Sequence, residues 1–182
     1  RGARARLRAM REQGTTTVEI KSGYGLTEAH ERKSLEVIRA LGGIPTFLGA
    51  HAVPRGRTSA AWTREVIAML PRMRRLARFC DVFCEPGAFS LGASRRVLEA
   101  ARRAGFGLKI HAEEFEASGG AELAAELGAV SADHLMAVTE RGIAALARAG
   151  TIAVLLPGTS VFLGGDRMAP ARALIACAGA AE

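Results

Sequence analysis

The feature that most constrains this chain is an alternation: a short apolar strand signal followed by a helix signal, repeated six times. Strands are predicted at Thr15–Ile20, Ile44–Ala50, Cys80–Cys84, Gly107–Ile110, Ala129–Ala132 and Thr151–Leu156, each a brief run rich in β-branched or apolar residues. Helices are predicted between them. The first ends at Gly14, the second runs from a Thr27 cap to Leu41, and the third covers about 59–77 with Pro71 as a break. Others follow over about 94–104, over 118–127, from a Thr139 cap to Gly150, and over about 167–178. Strands apolar on both faces and separated by helices imply a parallel sheet with helical cover. The strand exits recur every 23–34 residues or so, which suits a β/α barrel whose exits share one face. A doubly wound sheet is the alternative. It would carry a glycine-rich phosphate loop after its first strand, and Gly23-Tyr24-Gly25 does not continue as G-x-G-x-x-G, because position 28 is Glu.

Length then becomes informative. The chain has 182 residues, whereas a complete eight-stranded barrel takes about 200–250. The formal charge is +7, from 25 cations and 18 anions, and only Lys21, Lys33 and Lys109 among the cations are not Arg. Five Arg lie in residues 1–11 and four more at Arg72, Arg74, Arg75 and Arg78. Aromatics are 5% and do not interleave with these runs, so the basic stretches read as solvated helix faces rather than a nucleic-acid platform. A non-catalytic basic binding module is the competing reading, and salt-dependent DNA binding would mark it. Cys80, Cys84 and Cys177 cannot all pair, and a C-x3-C without a second pair is a poor zinc signature, so the chain is expected in a reducing cytoplasm. No apolar run approaches a membrane span of about 20 residues, and no signal peptide or membrane association is expected.

In a barrel, chemistry collects at the C-terminal ends of the strands. Lys21 and Tyr24, His51, Glu85, His111 with Glu113 and Glu114, Asp133 with His134, and Thr159 with Ser160 fall there. Three of the four histidines are at exits, and His30 is on a solvated helix. His111-Ala-Glu-Glu114 is the sharpest local pattern. A neutral imidazole beside a carboxylate suits a hydrolytic metal site, although a catalytic zinc normally takes three protein ligands and the chain has no H-x-H or H-E-x-x-H.

Several long strings resemble the imidazolonepropionase family of the amidohydrolase superfamily: EIKSGYGL (19–26), TFLGAHAVP (46–54), FCDVFCE (79–85), GFGLKIHAEE (105–114), GGAELAAELGAVSADHL (119–135) and GTIAVLLPGTSVFLG (150–164). The resemblance is collinear from about residue 3 to the end. It implies a metal-dependent TIM-type β/α barrel with a small flanking β-sandwich, zinc or iron as the metal, and hydrolysis of 4-imidazolone-5-propanoate to N-formimidoyl-L-glutamate in histidine degradation. It further implies that His111 is a metal ligand at the end of the fifth barrel strand. Glu114 becomes the carboxylate on the substrate ring, His134 the sixth-strand histidine near the metal-bound water, and Tyr24 and His51 substrate-binding residues. Lys21 and Glu85 are expected in buried ion pairs. On this alignment residues 1–182 hold about strands 2–7 of eight. The family's H-x-H, its substrate-gripping Arg, its eighth-strand Asp and the β-sandwich lie outside the chain, so the chain alone is expected to be inactive. The resemblance allows a homodimer for the full-length enzyme. A deaminase of the same superfamily is the closest alternative activity.

Overall fold

The computed structural model describes residues 2–164 and 167–179. In chain order the elements are α1 (Gly2–Glu12), β1 (Glu19–Lys21), α2 (Glu28–Ala40), β2 (Ile44–Ala50), α3 (Ser59–Met73), β3 (Phe79–Cys84) and α4 (Leu91–Arg103). They continue as β4 (Gly107–Ala112), α5 (Gly120–Glu126), β5 (Ser131–His134), α6 (Glu140–Ala149), β6 (Ile152–Val154), α7 (Pro157–Phe162) and α8 (Ala171–Gly179). The six strands form one parallel sheet in the order β1-β2-β3-β4-β5-β6. A strictly sequential order has no switch point, so the sheet is wound in one direction, as in a barrel, and is not doubly wound.

Two ion pairs show that the sheet is curled. Neighbouring strands lie about 4.8 Å apart, so in a flat sheet β1 and β5 would be roughly 19 Å from each other. Lys21 Nζ on β1 nevertheless reaches Asp133 Oδ2 on β5 at 2.5 Å, and Lys109 Nζ on β4 reaches Glu19 Oε2 on β1 at 3.0 Å. The strands therefore wrap around a concave face, giving part of a TIM-type barrel.

That face corrects the expectation of strands apolar on both sides. In β4, Leu108, Ile110 and Ala112 are buried, while the alternate residues Lys109 and His111 make the concave-face contacts. The same face receives Glu19, Lys21, Asp81 and Asp133. The opposite, helix-covered face carries the apolar core, in which Leu35, Trp62, Leu70, Leu98, Ile110, Leu123 and Leu146 are almost wholly buried. Trp62 ties α3 to β2 by donating from Nε1 to the Gly49 carbonyl at 3.0 Å.

Local signals set most helix boundaries. Thr27 and Thr139 accept the His30 and Gly142 amides as N-caps, and Gly150 closes α6 in the left-handed region. Helix α3 continues through Pro71 to Met73, although the proline, two residues before its end, cannot donate the amide bond back to the Ile67 carbonyl. The expected exit loop at Pro157-Gly158 is the start of α7, with Pro157 at a first-turn position that its fixed φ favours. Strand β1 is shorter than expected and begins at Glu19. Strand β5 begins two residues later than expected, so His134 ends it rather than following it, and His111 lies inside β4. Exposed Arg–Glu pairs such as Arg8–Glu12, Arg72–Glu28 and Arg95–Glu126 cover the helix surfaces. No helix among the described residues is long and apolar enough to cross a membrane.

Candidate active site

The C-terminal ends of β2, β4 and β5 bring three imidazoles to one mouth. The His111 ring centre lies 5.4 Å from His134 and 6.3 Å from His51. Phe83 on β3 fills the wall beside them, 6.0 Å from His111 and 5.6 Å from His51. Tyr24, on the loop after β1, sets its ring edge-on against His51 at 4.6 Å and remains 81% exposed at the rim. Gly25 allows this loop to run tightly over α2, since a Cβ there would meet the Glu31 amide at 2.6 Å. Glu31, wholly buried, accepts the Gly25 and Leu26 amides at 2.6 and 3.1 Å.

Beneath the imidazoles lies a layer of buried charge. Lys21 Nζ donates to Asp81 Oδ2 at 2.7 Å and to Asp133 Oδ2. Asp81 Oδ1 accepts the Val82 amide at 2.8 Å and faces His111 Nδ1 at 3.0 Å. Ser131 Oγ donates to Asp133 Oδ1. Burial alone would raise Asp81, but His111 and Lys21 outweigh it and hold the carboxyl well below the usual range. Burial alone would lower Lys21 and His111. The facing carboxylates outweigh it in both, so both are raised.

The acid–base groups at the rim move in opposite directions. Burial, reinforced by the charge on His111, pushes His134 down to about 4. Burial also lowers His51, with His111 next in effect. Burial raises Glu114, against the pull of His111. Glu114 Oε1 stands 3.5 Å from His134 Nδ1, too far for a closed hydrogen bond. His134 has φ +78° and the following Leu135 +57°, a left-handed pair that non-glycine residues adopt at a cost of about 1–3 kcal/mol each. Among the described residues Glu85 makes no ion pair, contrary to expectation. Its Oε1 accepts the Glu114 amide at 2.6 Å, which fixes the loop that carries Glu114.

Asp81, His111 and Asp133 could by spacing hold a metal, with ligand atoms within 4.8 Å of one another. Their facing atoms are already engaged, and the cation among the carboxylates is the Lys21 ammonium. The free positions are above, where Nδ1 of His51 and of His134 are buried without a hydrogen-bond partner among the described residues. His111 Nε2, across the ring from the Asp81 contact, is one imidazole nitrogen of the type that zinc and iron accept, but among the described residues the three imidazoles are not grouped closely enough to hold an ion by themselves.

The chain is 52% identical over 181 residues to the imidazolonepropionase of Stenotrophomonas maltophilia (strain R551-3), covering 94% of this chain and 44% of that one. It is 53% identical over 173 residues to the imidazolonepropionase of Alkaliphilus metalliredigens (strain QYMF), covering 89% and 41%. Over the stretch it spans, the chain belongs to the imidazolonepropionase family. It spans about two fifths of the length of these curated relatives. A solved structure of a Xaa-Pro dipeptidase with bound methionine matches the fold at a TM-score of 0.55 and 15% identity, covering 92% of this chain and 49% of that one. No family model matches the chain.

At the positions singled out by the imidazolonepropionase strings, the structure brings Tyr24, His51, His111, Glu114 and His134 together. Ser160 instead donates to Met136 Sδ, and His30 is exposed on α2. Asp81 is the residue that the reading of the strings overlooked. The available signal was a single Asp inside the apolar run CDVFC, since a buried carboxylate must have partners.

Proposed function

We propose that this chain forms the acid–base wall of an imidazolonepropionase, which hydrolyses the cyclic amide C–N bond of 4-imidazolone-5-propanoate to N-formimidoyl-L-glutamate. The observation that carries the reading is the convergence of His51, His111, His134 and Glu114 on one mouth above a neutralised floor. His111 would hold the metal through Nε2, with zinc or iron as the candidates. When bound, such an ion supplies Lewis acidity and brings the pKa of a water toward about 7.

The residues of the chain do the rest. His134 is neutral at pH 7 and can accept a proton from the attacking water. Glu114, raised by burial, delivers a proton to the ring nitrogen as the C–N bond breaks, and is reprotonated from His134 across their 3.5 Å gap. Water thus contributes OH to the carbonyl carbon and H to the nitrogen. Tyr24 and His51 form the outer lip that holds the ring. The unpaired cysteines fit a cytoplasmic enzyme.

The test is a chimaera in which this chain replaces the matching stretch of the Stenotrophomonas relative. We expect hydrolysis of the imidazolone by the chimaera, lowered about 10²–10⁴-fold by His134→Ala or Glu114→Gln. The 182-residue chain alone, with His111 as its one proposed ligand, is expected to bind no stoichiometric metal and to give no turnover. A folded, metal-loaded chimaera without activity would overturn the function, and so would full activity in His134→Ala.

A further inference from the structure

We propose that Asp81 is a positioning residue that fixes the His111 ring as its Nδ1–H tautomer and turns the bare Nε2 toward the mouth. Asp81 is fully buried, and both of its oxygens are held. Oδ1 takes the Val82 amide and faces His111 Nδ1, and Oδ2 takes the Lys21 ammonium. Lys21 is itself held by Asp133, so the Asp81 carboxylate is pinned at both ends and cannot rotate away.

Two steps give the tautomer. An ionised carboxylate only accepts hydrogen bonds. The Lys21 ammonium at 2.7 Å from Oδ2 and the Val82 amide at 2.8 Å from Oδ1 both donate to Asp81, an arrangement that favours the carboxylate. The hydrogen of the Asp81–His111 bond therefore belongs to Nδ1, and in the neutral ring Nε2 is bare. The register gives the direction. Phe83 is the β3 partner of His111, so Asp81 lies two residues deeper along its strand. Nδ1 accordingly points down to the charged floor, and Nε2 points up to the shared mouth. A carboxylate behind a metal-binding imidazole fixes the ring and strengthens its basicity, and losing it typically weakens metal binding about 10–100-fold.

The use of this device rests on the proposed metal role of His111, but the tautomer does not. Long-range ¹⁵N–¹H spectra of the histidine rings, taken on the 182-residue chain at a pH where the rings are neutral, read it directly. We expect His111 as Nδ1–H in the unsubstituted chain and loss of that signature in Asp81→Ala. In this variant Asp133 still partners the buried Lys21 ammonium. An Nε2–H ring in the unsubstituted chain overturns the proposal, as does an Nδ1–H ring that survives in Asp81→Ala. The first measurement needs no variant, so it decides even if Asp81→Ala fails to fold. In the chimaera, Zn²⁺ affinity should fall about 10–100-fold in Asp81→Ala, and unchanged affinity also overturns it. Failure of imidazolone hydrolysis beside an Nδ1–H ring would remove the activity and leave the positioning role intact.

Discussion

Glu113 shows how much a single buried carboxyl can set. Burial and then the charge of Glu122 push it up to about 7, from an ordinary 4.5. Its Oε1 accepts the Gly119 amide, while Oε2 has no partner among the described residues. A carboxyl whose native pKa lies above its unfolded one binds its proton better in the native state. Its stabilisation is therefore complete below about 4.5 and is lost as pH rises through about 7. Glu113→Gln keeps an oxygen for Gly119 and removes the titration. Thermal unfolding of the variant should change less than the parent's as pH rises from about 5 to 8, and at the upper end it should be more stable by about 1–2 kcal/mol, or roughly 2–8 °C in Tm. Parallel pH profiles for the two proteins would refute this. At this scale the sequence reveals groups that stand at strand ends. His51, His111, Glu114 and His134 were legible because the alternation fixed which residues share a face. Asp81 was not, because its neighbours in CDVFC are apolar and its partners Lys21 and His111 are 60 and 30 residues away in the chain. The assignment of Glu85 to an ion pair failed for a related reason, since its partner is a backbone amide, which no sequence pattern marks.

Helices were easier to place than strands. Caps such as Thr27, Thr139 and Gly150 act within one turn, so their chemistry is local and visible in the string. Strand limits depend on partners supplied by the sheet, and β1, β5 and β6 are accordingly displaced or shortened from their apolar runs. The loop between β1 and α2 shows how an element is held from outside itself. Glu31 stands on α2 and accepts two amides from that loop, Gly25 and Leu26, next to the rim residue Tyr24. Glu31→Ala should release those amides. Their hydrogen exchange should accelerate about 10-fold or more, corresponding to roughly 1.4 kcal/mol or more of lost local stability, while core amides such as Ile110 keep their protection. Unchanged exchange at Gly25 and Leu26 would show that the loop is held by packing instead.

For the whole molecule, the parallel order of the strands was legible but the polarity of the concave face was not. Short apolar runs looked two-sided until curling brought Glu19 to Lys109 and Lys21 to Asp81 and Asp133, and these pairings exist only in three dimensions. Curling also leaves consequences at the sheet ends. Among the described residues β1 and β6 each have one strand neighbour, so each presents an unpaired edge. On the β6 side, Ile152 is 60% exposed and Ile175 on α8 72% exposed, and both line an apolar cavity of about 520 Å³ between α6, β6 and α8. An open strand edge beside uncovered apolar surface favours pairing with another chain, and a charge on the edge opposes it. The 182-residue chain should therefore associate in a concentration-dependent way by sedimentation velocity. Ile152→Lys should shift it toward monomer with little loss of stability, because a side chain already largely in water loses little burial on substitution. A parent chain that stays monomeric at high concentration would show that this edge is protected. If the variant associates as strongly as the parent, the contact must lie elsewhere, and the β1 edge would be the next place to set a charge.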